Sequence, residues 1–262
     1  VWVVSRGAGE NLRSLGYEGD YIVMENGVDV PRGRVSDEAI AAATGRYDLP
    51  QNVPVFLFVG RLMWYKGIRI ILDALKTLRE KNVDFRMVFV GEGADGAEIR
   101  SYAEERKLSD RCFFTGAISD REIIRAWYGR SDLFLFPSTF DTNGLVVREA
   151  AASGTATVMI RNSCASEGVG DGRNGFCIEE NAAAMAAKLE ELCRAPEVMQ
   201  VVGENAQREL YVSWETAVQR AMARYEVVID NYRSGKYPKR ERFGDEFFKT
   251  PGGLMEAFAS VG

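Results

Sequence analysis

Residues 55–100 read VFLFVGRLMWYKGIRIILDALKTLREKNVDFRMVFVGEGADGAEIR. Two short apolar runs, VFLFVG and FRMVFVG, flank a segment in which Ile68, Ile71, Leu72, Leu75 and Leu78 fall on one helical face. A strand with no polar alternation is buried on both faces, and an amphipathic helix between two such strands is a crossover connection. The stretch therefore predicts a parallel β-α-β unit. The same texture continues on either side, with strands predicted at VWVVS, YIVMEN, CFFTG, LFLFPS and TATVMI. Repetition of the unit predicts an α/β fold: a doubly wound, Rossmann-like parallel sheet.

Beyond Asn174 the pattern turns helical, in NAAAMAAKLEELCRA and SWETAVQRAMARYEVVIDNYRSG. We expect one lobe over residues 1–233 and a tail over 234–262. The tail opens with the basic joint KYPKRER and carries Phe243, Phe247, Phe248, Leu254, Met255 and Phe258. A segment that apolar should dock on this lobe, on a missing lobe or on another chain.

Composition narrows the class. The chain has 262 residues, 46% hydrophobic and 27% charged, which suits a globular protein with an ample core. Its net charge of −5 argues against a general nucleic-acid binder. Cys112, Cys164, Cys177 and Cys193 show no metal-ligand spacing, and with no histidine in the chain a zinc set has nothing to complete it. We read them as reduced thiols of a cytoplasmic protein, and expect no metal. No apolar run approaches the roughly 18 residues that span a bilayer. Because VWVVS reads as a strand with no lead-in, we expect the chain to be part of something longer.

Gly91, Gly93 and Gly96 have the G-x-G-x-x-G spacing of a dinucleotide site. A nicotinamide site also needs an acid at the end of the next strand, roughly 20 residues on, to hold the ribose. That strand ends instead in Thr115 and Gly116, with Asp110 at its start and Asp120 in the loop beyond. The fingerprint alone is not decisive.

In this fold ligands gather at the carboxyl ends of strands. After VFLFV come Gly60 and Arg61, then Lys66 near the start of the following helix, so both cations and the helix dipole can face one pyrophosphate. After LFLFPS come Asp141, Asn143 and Gly144. Gly144 opens a helix that carries Glu149 about a turn and a half in, with the free amides of Leu145 and Val146 aimed at an anion. After TATVMI lies a loop with Glu167 and a D-G-x-N-G turn, in which Gly172 and Gly175 are expected at positive φ.

In order and spacing, VGRLMWYKGIRIILDAL, VGEGADGAEI, FTGAISDREIIRAWYGRSDLFLFPSTFDTNGLVVREAAASGTATVMI and EGVGDGRNGF resemble the donor-nucleotide lobe of family 4 (group 1) retaining glycosyltransferases of the GT-B fold. VVS, ENGVD and the SWETA helix start match too, so the resemblance covers nearly all of residues 1–233. It implies that Arg61 and Lys66 grip a diphosphate, that Glu149 holds the ribose and that Asp141 faces the donor sugar. It further implies that Gly60, Asn143, Gly144, Leu145 and Val146 lie under the phosphates and sugar. Gly91 and Gly93 would lie beside the nucleotide, with Ala117 and Ile118 at the base. Three departures stand out: Asp141 replaces a glutamate, Asn143-Gly144 replaces Phe-Gly, and Ser163-Cys164 replaces Gly-Gly in the loop before Glu167. The first two bear on the identity of the donor sugar, and the third on the roles the family assigns to that loop.

The function so implied is transfer of a hexose from UDP-glucose or a similar nucleotide sugar, without cofactor or metal, to an acceptor such as a glycolipid or polysaccharide. Val1 aligns with the start of the family's second lobe. The acceptor-binding N-terminal lobe is thus expected to be absent, and the chain inactive in transfer by itself. The full-length protein would be cytoplasmic, with peripheral contact at the inner membrane face. Three other readings stay open: an NAD-dependent enzyme, a non-catalytic nucleotide-binding module, and a nucleotide-sugar epimerase or hydrolase of the same fold.

Overall fold

The computed structural model describes residues 1–237. Its first half runs β1 (Trp2–Val3), α1 (Arg6–Ser14), β2 (Ile22–Val23), α2 (Asp37–Thr44), β3 (Val55–Val59), α3 (Ile68–Glu80), β4 (Arg86–Val90) and α4 (Gly96–Glu105). There follow β5 (Cys112–Gly116), α5 (Arg121–Arg130), β6 (Leu133–Phe136), α6 (Leu145–Ala152), β7 (Ala156–Ile160), β8 (Phe176–Ile178), α7 (Ala182–Cys193), α8 (Pro196–Glu209) and α9 (Trp214–Arg233). Helix starts carry the expected local chemistry. Ser5, Asp120 and Asn181 accept from Ala8, Glu122 and Ala184 amides at 3.0, 2.8 and 2.8 Å, so orphan first-turn donors are satisfied.

Six strands form one parallel sheet in the order β5-β4-β3-β6-β7-β8, and β1 pairs with β2 in a separate parallel pair. Numbered among themselves, the six run 3-2-1-4-5-6, the doubly wound order. The chain leaves β3 toward β4 on one side and returns to pair β6 on the other, so a crevice opens between the carboxyl ends of β3 and β6.

Strand alternation builds the core on both faces. Phe56 and Phe58 pack with Ile68, Ile71, Leu75, Ile99, Met185 and Met199, from α3, α4, α7 and α8. Val55, Leu57 and Val59 point the other way, into Trp127, Tyr128, Val147 and Ala150 of α5 and α6. All five apolar residues of the α3 face are fully buried, as their spacing predicts. Truncating one of them to Ala should cost about 2–5 kcal/mol.

Three local expectations are corrected. VWVVS and YIVMEN pair over only two residues each, because Ser5 leaves the strand to cap α1. The pattern expected to turn helical beyond Asn174 first adds one more strand to the sheet, since Phe176–Ile178 form β8 against Val158–Ile160. A three-residue strand is too short to show a period, and only its pairing defines it. Gly172 has φ +73°, but Gly175 does not take positive φ. Gly175 is instead required by space, because a Cβ there would stand 2.8 Å from Val169 Cγ1.

Val1–Ala217 make one compact unit and the chain from Val218 a second, the limit falling inside α9. The expected tail is described only to residue 237, and its apolar residues from Phe243 to Phe258 lie outside the described residues. Among the described residues no helix is long and apolar enough to cross a membrane. The four cysteines are free thiols, with Cys112 and Cys177 buried.

Candidate functional site

The crevice at the switch point is an open cleft of about 250 Å³, lined by Asn26, Gly60, Arg61, Lys66, Asp141, Asn143 and Gly144 together with Phe58, Val59, Phe136, Thr142, Leu145 and Val146. Glycines bring its two walls together. Gly67 sits at φ +76°, and a Cβ on it would lie 2.2 Å from the Pro137 carbonyl oxygen. Only glycine therefore lets the turn carrying Lys66 press against the end of β6. Gly144, at φ +58°, starts α6, where a Cβ would meet Ala165 Cβ at 2.8 Å.

The electrostatics are paired. Lys66 Nζ donates to both Asp141 carboxylate oxygens, at 2.6 and 2.9 Å, with the two side chains 13% and 21% exposed. The buried Ser138 hydroxyl donates to Asp141 Oδ2. Lys66 also lies over the Tyr65 and Phe136 rings, with Nζ 5.4 and 5.9 Å from their centroids. Arg61 donates to the Tyr65 hydroxyl at 2.7 Å. Asn143 is buried, and its Nδ2 has no hydrogen-bond partner. An orphaned donor in a cleft wall is suited to an acceptor on a ligand.

The structure thus brings Gly60, Arg61, Lys66, Asp141, Asn143, Gly144, Leu145 and Val146 into one cleft. Glu149, Gly91, Gly93, Ala117 and Ile118 are not among its lining residues. Glu149 lies further along α6, where it accepts a 3.4 Å hydrogen bond from the Tyr128 hydroxyl. Burial pushes its carboxyl above the ordinary value, partly countered by that hydroxyl and by the Arg121 charge. The two loop glycines answer to backbone crossing. A Cβ on Gly91 would be 2.0 Å from Gly60 O, and one on Gly93 2.3 Å from Leu62 O. The loop after β4 is accordingly laced to the loop after β3, through Leu62 N to Glu92 O at 3.0 Å and Trp64 N to Asp95 Oδ2 at 2.8 Å. Ile118 packs on the core cluster of α5 and α6, and Ala117 is exposed just past β5.

Sequence reasoning passed over Asn26 and Ser138. Both had a signal, as the polar residues that end the predicted strands YIVMEN and LFLFPS. It also assigned Glu167 no partner. That carboxylate accepts from Gly7 N at 2.6 Å and Arg6 N at 2.8 Å, closing the start of α1. Among the described residues no group of three or more His, Cys, Asp or Glu is arranged to hold a metal ion.

Comparison with known proteins agrees with this architecture. Residues 42–209 match the family model "Glycosyl transferases group 1". A D-inositol 3-phosphate glycosyltransferase of Streptomyces scabiei is 27% identical over 248 residues, covering 90% of this chain and 55% of the relative. A glycogen synthase of Mycobacterium tuberculosis is 28% identical over 220 residues, covering 83% of this chain and 50% of the relative. The chain thus spans about half the length of these relatives. Among solved structures, Anabaena Alr3699/HepE in complex with UDP-glucose superposes with a TM-score of 0.77 at 22% identity, over 87% of this chain and 63% of that one.

Proposed function

The chain belongs to the group 1 glycosyl transferases, and from that premise we propose that its cleft binds a nucleoside diphosphate sugar and that it is the donor half of a retaining, family 4 hexosyltransferase of the GT-B fold. The observation that carries the proposal is the convergence of Arg61, Lys66 and the first turn of α6 on one cleft at the switch point of the sheet.

The chemistry follows from charge. Breaking the bond between the anomeric carbon and the phosphate oxygen leaves growing negative charge on the diphosphate and oxocarbenium-like positive charge on the sugar. Arg61, Lys66 and the amides of Leu145 and Val146 are placed to answer the first, and such preplaced donors need no reorganisation during the reaction. Losing one of these cations should cost about 3 kcal/mol in the transition state. Asp141 is the acid available to the sugar. Glu149 would accept from ribose hydroxyls, and the ends of β4 and β5, at Gly91, Gly93, Ala117 and Ile118, would flank the base.

UDP-glucose is the first donor to test, since Anabaena Alr3699/HepE, similar to this chain in fold, forms a complex with it. We assign the acceptor, a glycolipid or polysaccharide, to a second lobe outside this chain, and expect transfer by the chain alone to be poor. A cytoplasmic location, with peripheral contact at the inner membrane face, belongs to the same reading. No metal enters it, because the cations answer the diphosphate.

The test is calorimetric titration of the metal-free chain with UDP, GDP, ADP and NAD, repeated with Arg61→Ala and Glu149→Ala. Binding of one nucleoside diphosphate, weakened by both substitutions, is expected. Binding of NAD alone, or of no nucleotide, would overturn the proposal.

A further inference from the structure

The cleft holds an internal contradiction. Its most enclosed cation is already neutralised: Lys66 shares both Asp141 oxygens at 2.6 and 2.9 Å, and Ser138 holds one of those oxygens from behind. An ammonium has three donors, and two of them are spent on the carboxylate. A diphosphate that reaches Lys66 therefore meets a cation screened by a neighbouring negative charge. At contact distance and reduced exposure that charge cannot be neglected.

We propose that Asp141 is an exchangeable counter-ion: it occupies Lys66 when the cleft is empty, yields Lys66 to the donor's diphosphate, and is then received by hydroxyls of the donor sugar. This rests on the donor-binding reading above and adds a specificity to it. A nucleotide sugar brings the phosphate that displaces the carboxylate together with the hydroxyls that satisfy it. A bare nucleoside diphosphate brings only the first, so it leaves Asp141 ionised, close to the phosphates and with the Ser138 hydroxyl in place of the lost ammonium. The same pair thus selects sugar nucleotide over the nucleoside diphosphate left after transfer. Its re-formation helps to expel that product.

Geometry supports exchange over a fixed salt bridge. Asp141 lies on the loop between β6 and α6, beside the exposed Phe140 and Thr142. Lys66, by contrast, is held from the other wall by Gly67 and lies over two aromatic rings. The carboxylate is the member placed to turn, and the ammonium the member placed to stay.

The test uses calorimetry of the whole chain with UDP and with UDP-glucose, for the wild type, Asp141→Asn, Lys66→Met and the double variant, each checked for folding by its melting transition. Asp141→Asn keeps the shape and removes the charge. UDP is expected to bind about tenfold more tightly, the order of one part-buried ion pair, while UDP-glucose gains less or loses affinity. In the Lys66→Met background the gain for UDP should vanish, because no cation remains to be released. Equal gains for both ligands, or a gain that survives Lys66→Met, would mean simple charge repulsion and would overturn the inference. Weaker or unchanged UDP binding in Asp141→Asn would overturn it too. If Arg61→Ala still weakens UDP in those cases, the donor-binding reading stands. Absence of UDP, GDP and ADP binding in every variant would overturn both.

Discussion

The Tyr128 hydroxyl donates to Glu149 Oε2 across 3.4 Å, joining α5 to α6 through two groups whose charged forms are disfavoured by burial. The buried Tyr128 ring packs edge-on against Phe134 of β6, with centroids 5.5 Å apart. The acid proposed to hold the ribose is therefore oriented by a ring anchored in the core, rather than by solvent or a flexible base.

That relationship sets a pH dependence. The Glu149 carboxyl is raised above its ordinary 4.5, so the folded chain keeps this proton to a higher pH than the unfolded chain does. Its contribution to stability is complete below 4.5 and is lost as pH rises through the raised folded value. Glu149→Gln removes the titration. Urea midpoints followed against pH should converge with the wild type at the acid end of the window and lie above it at neutral pH. Parallel curves for the two proteins would contradict the assignment.

Asn143 should show opposed effects on stability and binding. Its buried Nδ2 lacks a partner, a deficit of about 1–3 kcal/mol in the empty protein. Asn143→Leu, close in volume, is expected to raise the melting temperature by the equivalent of about 1 kcal/mol. Nucleotide-sugar affinity should fall by about fivefold, one modest hydrogen bond. Loss of both stability and binding would instead mark Asn143 as a packing residue.

Glu167 ties two distant segments. Its acceptance from Gly7 and Arg6 amides supplies α1 with a cap across a sequence separation of 160 residues. Glu167→Ala should cost about 1–2 kcal/mol and speed amide hydrogen exchange over residues 6–14 selectively. Uniform acceleration throughout the chain would argue for a global role.

Gly203 sets helix propensity against space. Alanine would favour α8 by about 1 kcal/mol, but its Cβ would stand 2.0 Å from Gly154 O and 3.1 Å from Ala156 N. Both obstacles are backbone and cannot rotate away, so the contact wins. Gly203→Ala is expected to destabilise by about 2 kcal/mol in urea denaturation. A stabilised variant would show that α8 can lift from β7 without cost.

Much of this molecule is legible in the chain itself. Short, mainly apolar runs announced the strands β3 to β7, and the period of Ile68, Ile71, Leu72, Leu75 and Leu78 announced α3. Those signals are local, because the backbone repeats of strand and helix fix which residues share a face. Arg61, Lys66, Asp141 and Gly144 were marked for the same reason, since each lies in the short segment between the end of a strand and the helix that follows it.

What tertiary structure alone decided are the partnerships. Lys66 and Asp141 are 75 residues apart, and they meet because β3 and β6 lie side by side at the switch point. β8 exists only through its pairing with β7, and Gly91 and Gly93 are glycines because the loops after β3 and β4 cross at backbone contact. Charge and spacing along a chain state what each residue is able to bind. Which partner it reaches first depends on the order of strands in the sheet, and in this cleft the first partner of Lys66, the lysine proposed to meet the phosphates, is the protein's own carboxylate.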